Sequence, residues 1–555
     1  MAVDFMVRCL DSYNKDDWQE AQFGLLLRLD EFLTENGIEY SLDFGSMIGA
    51  VRHRGYIPWD NDVDITMHLG EYDKLVELAK AGKLPDGLVL ASNETLENYQ
   101  TGFGRILDTK QAAMFAHLGW EDEIIGVFID IFLLRPLPND PDERLEAIVD
   151  YDVYDEGICE LGRRHGHRPE LFIERYREFK EQEKALGHKE AVAWAKAKAD
   201  AHNIDDAEWY FIGSAGTYLC YEIRKREWVE STVRMPVNGH MLPVFTGYLE
   251  ILRGDYGDSW RYKPTEDADF VPYNAALHLP AKVFVDQTWI AYPQEKALKS
   301  LKAYKNAQME DAFIRYKYSP DIYAMKGLFS LAGVRDDAQA ADIDLDTMMD
   351  RLPEGDLEFA EKVFGIFAKY RSTQRSERYR YWRVAIPIEN EWLLAALWAP
   401  LLVRKDYWEV AQIVRMTNDY SKDAESLAAD PRYRRLEELL SEISEMHLEM
   451  DKGNVAAARG HFDRVVEICP AAYEARIGRI WLAANEEGEA SPDDFASDLE
   501  HCRENGEYLA YYADLLDKLG RSDEARTMRE EALTKTTNCM VLLNVQDKME
   551  VQHGA

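Results

Sequence analysis

Apolar side chains recur at helical spacing along DWQEAQFGLLLRLDEFLTENG (17–37), and Asn36-Gly37 supplies a stop, which predicts an N-terminal helix. IEYSLDFGSMIGAV reads as a strand, a small-residue turn carrying Gly45-Ser46, and a second element. ITM follows an acidic stretch as a short strand, LGEYDKLVELAKAG is a helix ending at Gly82, and LVLAS is a strand candidate. GVFIDIFLL (126–134) is almost wholly apolar, the pattern of a strand buried on both faces, and Pro136 and Pro138 are expected to end it. Residues 141–235 read as a mostly helical, charged, amphipathic insertion. PVNGHMLPVFTGYLEILRGDYGDSWRYKP (236–264) returns to mixed structure, and beyond about 290 the pattern is nearly all helix.

Two stretches of that tail share a pattern. KGNVAAARGHFDRVVEICP (452–470) and LGRSDEARTMREEAL (519–533) each place an Ala five residues after a helix-closing Gly, at Ala458 and Ala525. Phe462 and Pro470 then fall at tetratricopeptide offsets, whereas Arg529 takes the aromatic slot of the second. Helical repeats, or an irregular bundle, are the readings. Trp481, Tyr508, Tyr511 and Tyr512 could line a repeat surface, although core packing suits each better.

The 555 residues exceed one core, so two to four domains are expected, and an apolar fraction of 46% can fill them. A net charge of -37 argues against coating nucleic acid or docking by charge on anionic lipid. The six cysteines are scattered with no CxxC pair, which fits reduced thiols in a cytoplasmic protein. The first twenty residues lack the apolar stretch of a signal peptide, and no run is long and apolar enough for a membrane span.

The chemistry concentrates in DFGSMIGAVRHRGYIPWDNDVDI (43–65). Asp62 and Asp64, two apart on an extended chain, share a face and repel each other. A divalent cation is the usual remedy, and Mg²⁺ suits carboxylates plus substrate phosphates. Asp130 lies in an apolar strand, where an unpaired carboxylate costs several kcal/mol. A metal shared with Asp62 and Asp64 would offset that cost. Gly45 lets backbone approach a phosphate, Ser46 can donate to it, and Arg52, His53 and Arg54 can grip it. A polar surface strand, a satisfied buried Asp and ordinary salt bridges are the plainer alternatives. Gly-Ser, then DxD, then a buried Asp is the arrangement of the nucleotidyltransferase fold.

The segment Gly45 to His53, Gly55 to Asp60 and Asp62 to Ile65 resembles the signature of the LicD family of phosphorylcholine and fukutin-related polyol-phosphate transferases. GVFIDIF (126–132), Val237-Asn238-Gly239 with Leu242-Pro243, and LRGDYGD (252–258) resemble its later elements in order. Asn61 departs from the family's third consecutive Asp, and Leu107 from a frequent second basic residue; His278 aligns with a late histidine. The resemblance implies an α+β nucleotidyltransferase-like domain over 1–285, a small mixed sheet flanked by helices. An all-α, tetratricopeptide-like region over 286–555 would follow. It implies transfer of phosphocholine or polyol phosphate from a CDP-activated donor to a glycan hydroxyl, with CMP leaving. Asp62, Asp64 and Asp130 would be catalytic and hold Mg²⁺ or Mn²⁺; Gly45, Ser46, Arg52, His53, Trp59, Asp60 and Arg105 would bind substrate, and Tyr56 could stack on it. A nucleotidyltransferase releasing pyrophosphate and a non-catalytic helical adaptor are the competing readings. The helical region would bind a protein partner, self-associate or present the acceptor.

Overall fold

A computed structural model describes residues 15–58, 60, 62–96, 102–114, 126–159, 170–212, 222–262, 274–276, 336–369, 390–403, 407–408, 410–411, 414, 428–488 and 490–553. The chain forms two compact units, Met1–Asp255 with Glu266–Asn306, and Tyr256–Thr265 with Ala307–Ala555. The expected boundary at 285/286 lies outside the described residues.

The first unit is built on a mixed sheet. Its strands are β1 (Ser41–Leu42), β2 (Asp64–His68), β3 (Leu88–Ala91), β4 (Gly104–Asp108), β6 (Val127–Leu137), β7 (Trp209–Ile212), β8 (Glu222–Lys225), β9 (Thr232–Val237) and β10 (His240–Phe245). The spatial order is β3-β4-β6-β2-β1-β10-β9, with β7 and then β8 added from β6. β2 runs parallel to β6 and β1 to β10; the other pairings are antiparallel. β5 (Ala112–Met114) pairs apart with β11 (Asn274–Ala276).

β6 is the buried central strand that its apolar run predicts, with Val127, Ile129, Ile131 and Leu134 all inaccessible. It does not end at Pro136. Beyond Leu134 it has left β2 and keeps β7 as its ladder partner, so a residue without an N–H is tolerated there. β9 and β10 are joined by Asn238 (φ 48°) and Gly239 (φ 81°), the left-handed pair a two-residue hairpin turn requires.

α1 (Lys15–Glu35) buries Trp18, Leu25, Leu26, Leu29 and Leu33, and Gly37 stops it in the left-handed region (φ 63°). α2 (Phe44–Ile48) follows β1, and α3 (Leu69–Lys80) follows β2. The insertion is helical only at first. α4 (Pro141–Cys159), α5 (Glu170–Leu186) and α6 (His188–Asp200) close on their own core of Ala147, Tyr151, Phe172, Phe179 and Ala195. Residues 209–212 and 222–225 then return as β7 and β8, because WYFI and EIRK can extend the ladder that β6 leaves open. α7 (Arg226–Val229) and α8 (Tyr248–Tyr256) follow.

Among its described residues the second unit is helical, with helices from Leu345–Arg351 to Cys539–His553 and one isolated bridge between Tyr262 and Asn538. One apolar cluster includes Met348, Val363, Leu394, Trp398 and Tyr433; another includes Met446, Phe462, Ile477, Trp481 and Tyr508. Ala458 and Ala525 are fully buried, as small residues at helix crossings should be. Arg529 is buried too, and pairs with Asp514 (2.8 Å) and Asp517 (2.5 Å), so an ion pair fills the slot where a ring was expected. Residues 256–262 belong to this core: Arg261 bonds Asp258 and Asp451, each at 2.5 Å, and Trp260 is 2% exposed. No helix among the described residues is long and apolar enough to cross a membrane.

Candidate active site

Three adjacent strands set a charged row. Asp64, the first residue of β2, pairs in parallel register with Asp130 of β6, and Asp130 pairs with Arg105 of β4 on its other side. Paired residues on neighbouring strands lie roughly 5 Å apart and face the same side. Arg105 Nε donates to Asp130 Oδ1 at 2.5 Å, and both residues are buried. The guanidinium also lies over the rings of Phe128 (4.9 Å) and Phe103 (5.2 Å). Asp62 lies two residues upstream, just before the strand begins.

These carboxylates destabilise one another. Burial, then the charges of Asp60 and Asp130, holds Asp62 well above the usual carboxylate range, with Asp60 also hydrogen bonded to it. Burial, then the charges of Asp62, Asp130, Asp60 and Asp43, does the same to Asp64. Burial raises Asp130 as well, with Arg105 opposing. The Arg105 guanidinium opposes the shifts of Asp62 and Asp130 but does not cancel them.

The loop before the acids is packed against them. Gly45 and Ser46 lie in α2 rather than on a turn, because Asp43 caps that helix: its side chain accepts from the Phe44 N–H at 2.8 Å. Ser46 Oγ accepts the Asp64 N–H at 3.0 Å. A Cβ on Gly45 would come 2.5 Å from Asp60 Oδ2, so glycine is what lets the helix and that carboxylate meet. Arg52 and His53 follow in one π-helical turn, where buried Arg52 donates from Nε to His53 Nε2 at 3.0 Å. Arg54 is exposed with a left-handed backbone (φ 52°), and its carbonyl accepts from the Asn238 N–H of the β9–β10 turn. Gln19 of α1 donates to the carbonyls of Ile57 (3.2 Å) and Asp60 (2.8 Å), which ties the loop to the helix. Tyr56 meets Phe23 edge-on at 6.0 Å. Trp59, Asn61 and His278 lie outside the described residues.

Asp60, Asp62, Asp64, Asp130, Arg105, Gly45 and Ser46 are thus brought together, with Arg52 and His53 on the adjoining turn. Among the described residues, no three His, Cys, Asp or Glu side chains form a ready metal cage. The acids are turned to protein partners instead, Asp130 to Arg105 and Asp62 to Asp60. Their chemistry nonetheless suits a hard cation: they are oxygen donors, crowded, partly buried and short of positive charge.

Sequence reasoning missed what surrounds this row. Asp43 is fully buried and clamped by Arg224 of β8, which donates to both its oxygens at 2.6 and 3.0 Å and to Asp255 at 2.9 Å. Phe132 stacks on Phe103 and takes Phe44 edge-on, both at 4.9 Å. The alternation along β6 does place Phe132 on the face of Asp130 and would have flagged it. Nothing local marks Arg224, 181 residues from its partner.

The first unit is thus a mixed sheet with flanking helices that sets paired acids beside a glycine-containing helix. Residues 37–118 match the profile of LicD/FKTN/FKRP, nucleotidyltransferase domain. The chain is 33% identical over 104 residues to the lipopolysaccharide cholinephosphotransferase LicD of Haemophilus influenzae, covering 19% of this chain and 38% of that protein. It is 46% identical over 50 residues to an uncharacterized protein of Rickettsia prowazekii (9% of this chain, 19% of that one). It is 42% identical over 52 residues to the ribitol 5-phosphate transferase FKRP of Mus musculus (9% and 10%). The chain therefore carries a LicD-family domain. It spans 38% or less of the length of each of these relatives.

Proposed function

We propose that the first unit is a metal-dependent transferase that moves a substituted phosphate, such as phosphocholine or a polyol phosphate, from a CDP-activated donor to a glycan hydroxyl, releasing CMP. One observation carries the reading: Asp64 and Asp130 share register on adjacent parallel strands, with Asp62 and Asp60 beside them and the Arg105 guanidinium against Asp130. The named activities of the Haemophilus influenzae and Mus musculus relatives support it.

Asp62 and Asp64, with Asp130, would hold Mg²⁺ or Mn²⁺, which when bound supplies charge against the donor's diphosphate. Arg105 orients Asp130 through its hydrogen bond and favours its charged form against burial. Ser46 fixes the start of β2 through the Asp64 N–H and so sets where that carboxylate stands. Arg52, on the adjoining turn, would counter phosphate charge that develops in transfer. The aromatic wall of Phe44, Phe103 and Phe132 would exclude water from one side of the row. The acceptor hydroxyl would lose its proton to a carboxylate of this cluster. The helical unit, read as tetratricopeptide-like, would present the glycan or bind a partner.

The test incubates the full chain with a panel of CDP-alcohols, a glycan acceptor and Mg²⁺ or Mn²⁺, and measures CMP. Asp62→Ala with Asp64→Ala should abolish release. Pyrophosphate from a nucleoside triphosphate in place of CMP would reassign the domain as a nucleotidyltransferase. Metal-independent release untouched by the double variant would refute the carboxylate site.

A further inference from the structure

We propose that Arg224 is a positioning residue for the carboxylate row, acting through Asp43 on the backbone of Asp64 and the carboxylate of Asp60. The inference rests on reading that row as a metal site.

The linkage is continuous. Arg224 is 1% exposed and holds Asp43 through both terminal nitrogens, at 2.6 and 3.0 Å. A bidentate guanidinium–carboxylate pair fixes orientation as well as distance. Asp43 in turn donates its N–H to the Asp64 carbonyl at 3.0 Å, and its carbonyl accepts the Met47 N–H at 3.0 Å. The Asp64 N–H donates to Ser46, in the helix that Asp43 caps. Both backbone polar groups of Asp64 are therefore held by residues 43–46, and Arg224 holds residue 43. The same turn carries Gly45, which abuts the Asp60 carboxylate.

Phe44 supplies a second sign of constraint. Its φ is 47°, a left-handed conformation that a bulky side chain rarely adopts. Such a residue persists where its surroundings over-determine it, and such sites cluster at functional centres. Here the Asp43 side chain accepts the Phe44 N–H, and the Arg224 guanidinium lies 5.8 Å from the centre of the Phe44 ring. One buried arginine thus keeps a strained turn pressed against the two acids.

The experiment compares full-length wild type with Arg224→Lys, Asp43→Asn, their double variant, and Phe44→Gly added to Arg224→Lys. It measures Mn²⁺ affinity by calorimetry, melting temperature, and CMP release as kcat and KM. Lysine keeps the charge but not the fork, and asparagine keeps the shape but not the charge. Arg224→Lys should weaken Mn²⁺ binding at least tenfold and lower kcat at least tenfold, with KM for the donor moved less than threefold. Asp43→Asn should match it, and the double variant should lose no more than either alone. Phe44→Gly relieves the strain, so it should raise the melting temperature of Arg224→Lys without restoring Mn²⁺ affinity. Recovery of both would make Arg224 a prop for the fold and overturn the proposal. So would a kcat loss that only follows the unfolded fraction, or unchanged Mn²⁺ affinity in a folded Arg224→Lys. A wild type that binds no Mn²⁺ removes the metal site and this inference with it. One that binds Mn²⁺ but releases no CMP removes only the donor reading.

Discussion

Replacing Arg105 by Met keeps most of the side chain's length and packing while removing the cation seen in direct contact with Asp130. The pair is short, at 2.5 Å, and its side chains are 6% and 10% exposed, so water cannot take over the lost role. Breaking a buried pair by deleting one partner costs about 3–5 kcal/mol. The loss should fall at the upper end, because Asp62 and Asp64 crowd the same face and Arg105 also offsets the charge of Asp62. For a unit of this size the expected fall in melting temperature is roughly 10 °C. The assay is thermal unfolding of the full chain with and without Mn²⁺. A cation at a hundred times its dissociation constant adds about 2.7 kcal/mol, and the more negative site of the variant should bind it more tightly than wild type does. Mn²⁺ should therefore narrow the gap between the two proteins. Asp130→Asn placed on Arg105→Met should recover much of the loss, since the stranded charge is gone. A variant melting within about 2 °C of wild type, or one that neither Mn²⁺ nor Asp130→Asn rescues, would refute the claim that Arg105 compensates a metal-competent acid cluster.

Glycine substitutions separate fold from site. Gly45→Ala meets the end of a side chain, Asp60 Oδ2 at 2.5 Å, so the chain should melt within a few degrees of wild type yet lose CMP release as Asp60 is pushed aside. Gly126→Ala meets the Asp108 carbonyl oxygen at 2.1 Å, backbone that cannot yield, and should leave little folded protein in the soluble fraction. Asp255 gives a pH test. Burial pushes it up to about 6 from the usual 3.8, with Arg224 opposing and Asp43 adding. The folded form keeps this proton longer than the unfolded one, so its contribution is full below pH 3.8 and is lost as pH rises through about 6. The difference is worth about 3 kcal/mol, and Asp255→Asn should flatten the stability curve over that window in urea titrations. His447 has the same sign. Burial lowers it, but the hydrogen bond and charge of Glu474 outweigh that, so stability should fall as pH rises from about 6.5 through its raised value. His447→Gln should remove that slope.

What could be read from the sequence was what depends on local pattern. The helix over 17–37, the buried strand around Asp130 and the acids at 60–64 follow from spacing and apolar runs. The signal for Asp130 was its cost: a carboxylate in VFIDIFLL had to have a partner. The partner's identity is not legible: nothing in the sequence says that Arg105 contacts Asp130. Deciding that required knowing that β4 and β6 pair with residue 105 opposite 130, a register fixed by the whole sheet. The errors follow the same line. Proline predicts the end of β6 because it cannot donate to a ladder, but past Leu134 the β2 flank is open and only β7 remains paired, so Pro136 stays in the strand opposite Tyr210. WYFI (209–212) and EIRK (222–225) read as the end of a helical insertion because they are too short to declare a period; the open flank of β6 makes them strands.

Asp43 and Arg224 carry the argument furthest. In sequence, Asp43 is one more acid at the head of a signature, and Arg224 is one basic residue in IRKRE. The fold makes them a single buried unit that binds the start of α2, at Gly45-Ser46, to the first residue of β2. A LicD-type signature therefore specifies the acids and the turn, but their relative placement is set from a strand that arrives only after about 150 more residues of chain. Catalytic competence should then depend on correct docking of β7 and β8, and substitutions at their contacts with β6, such as Phe211 opposite Arg135, should lower CMP release more than they lower stability. Equal losses in the two would place the control of the site within residues 41–64 alone.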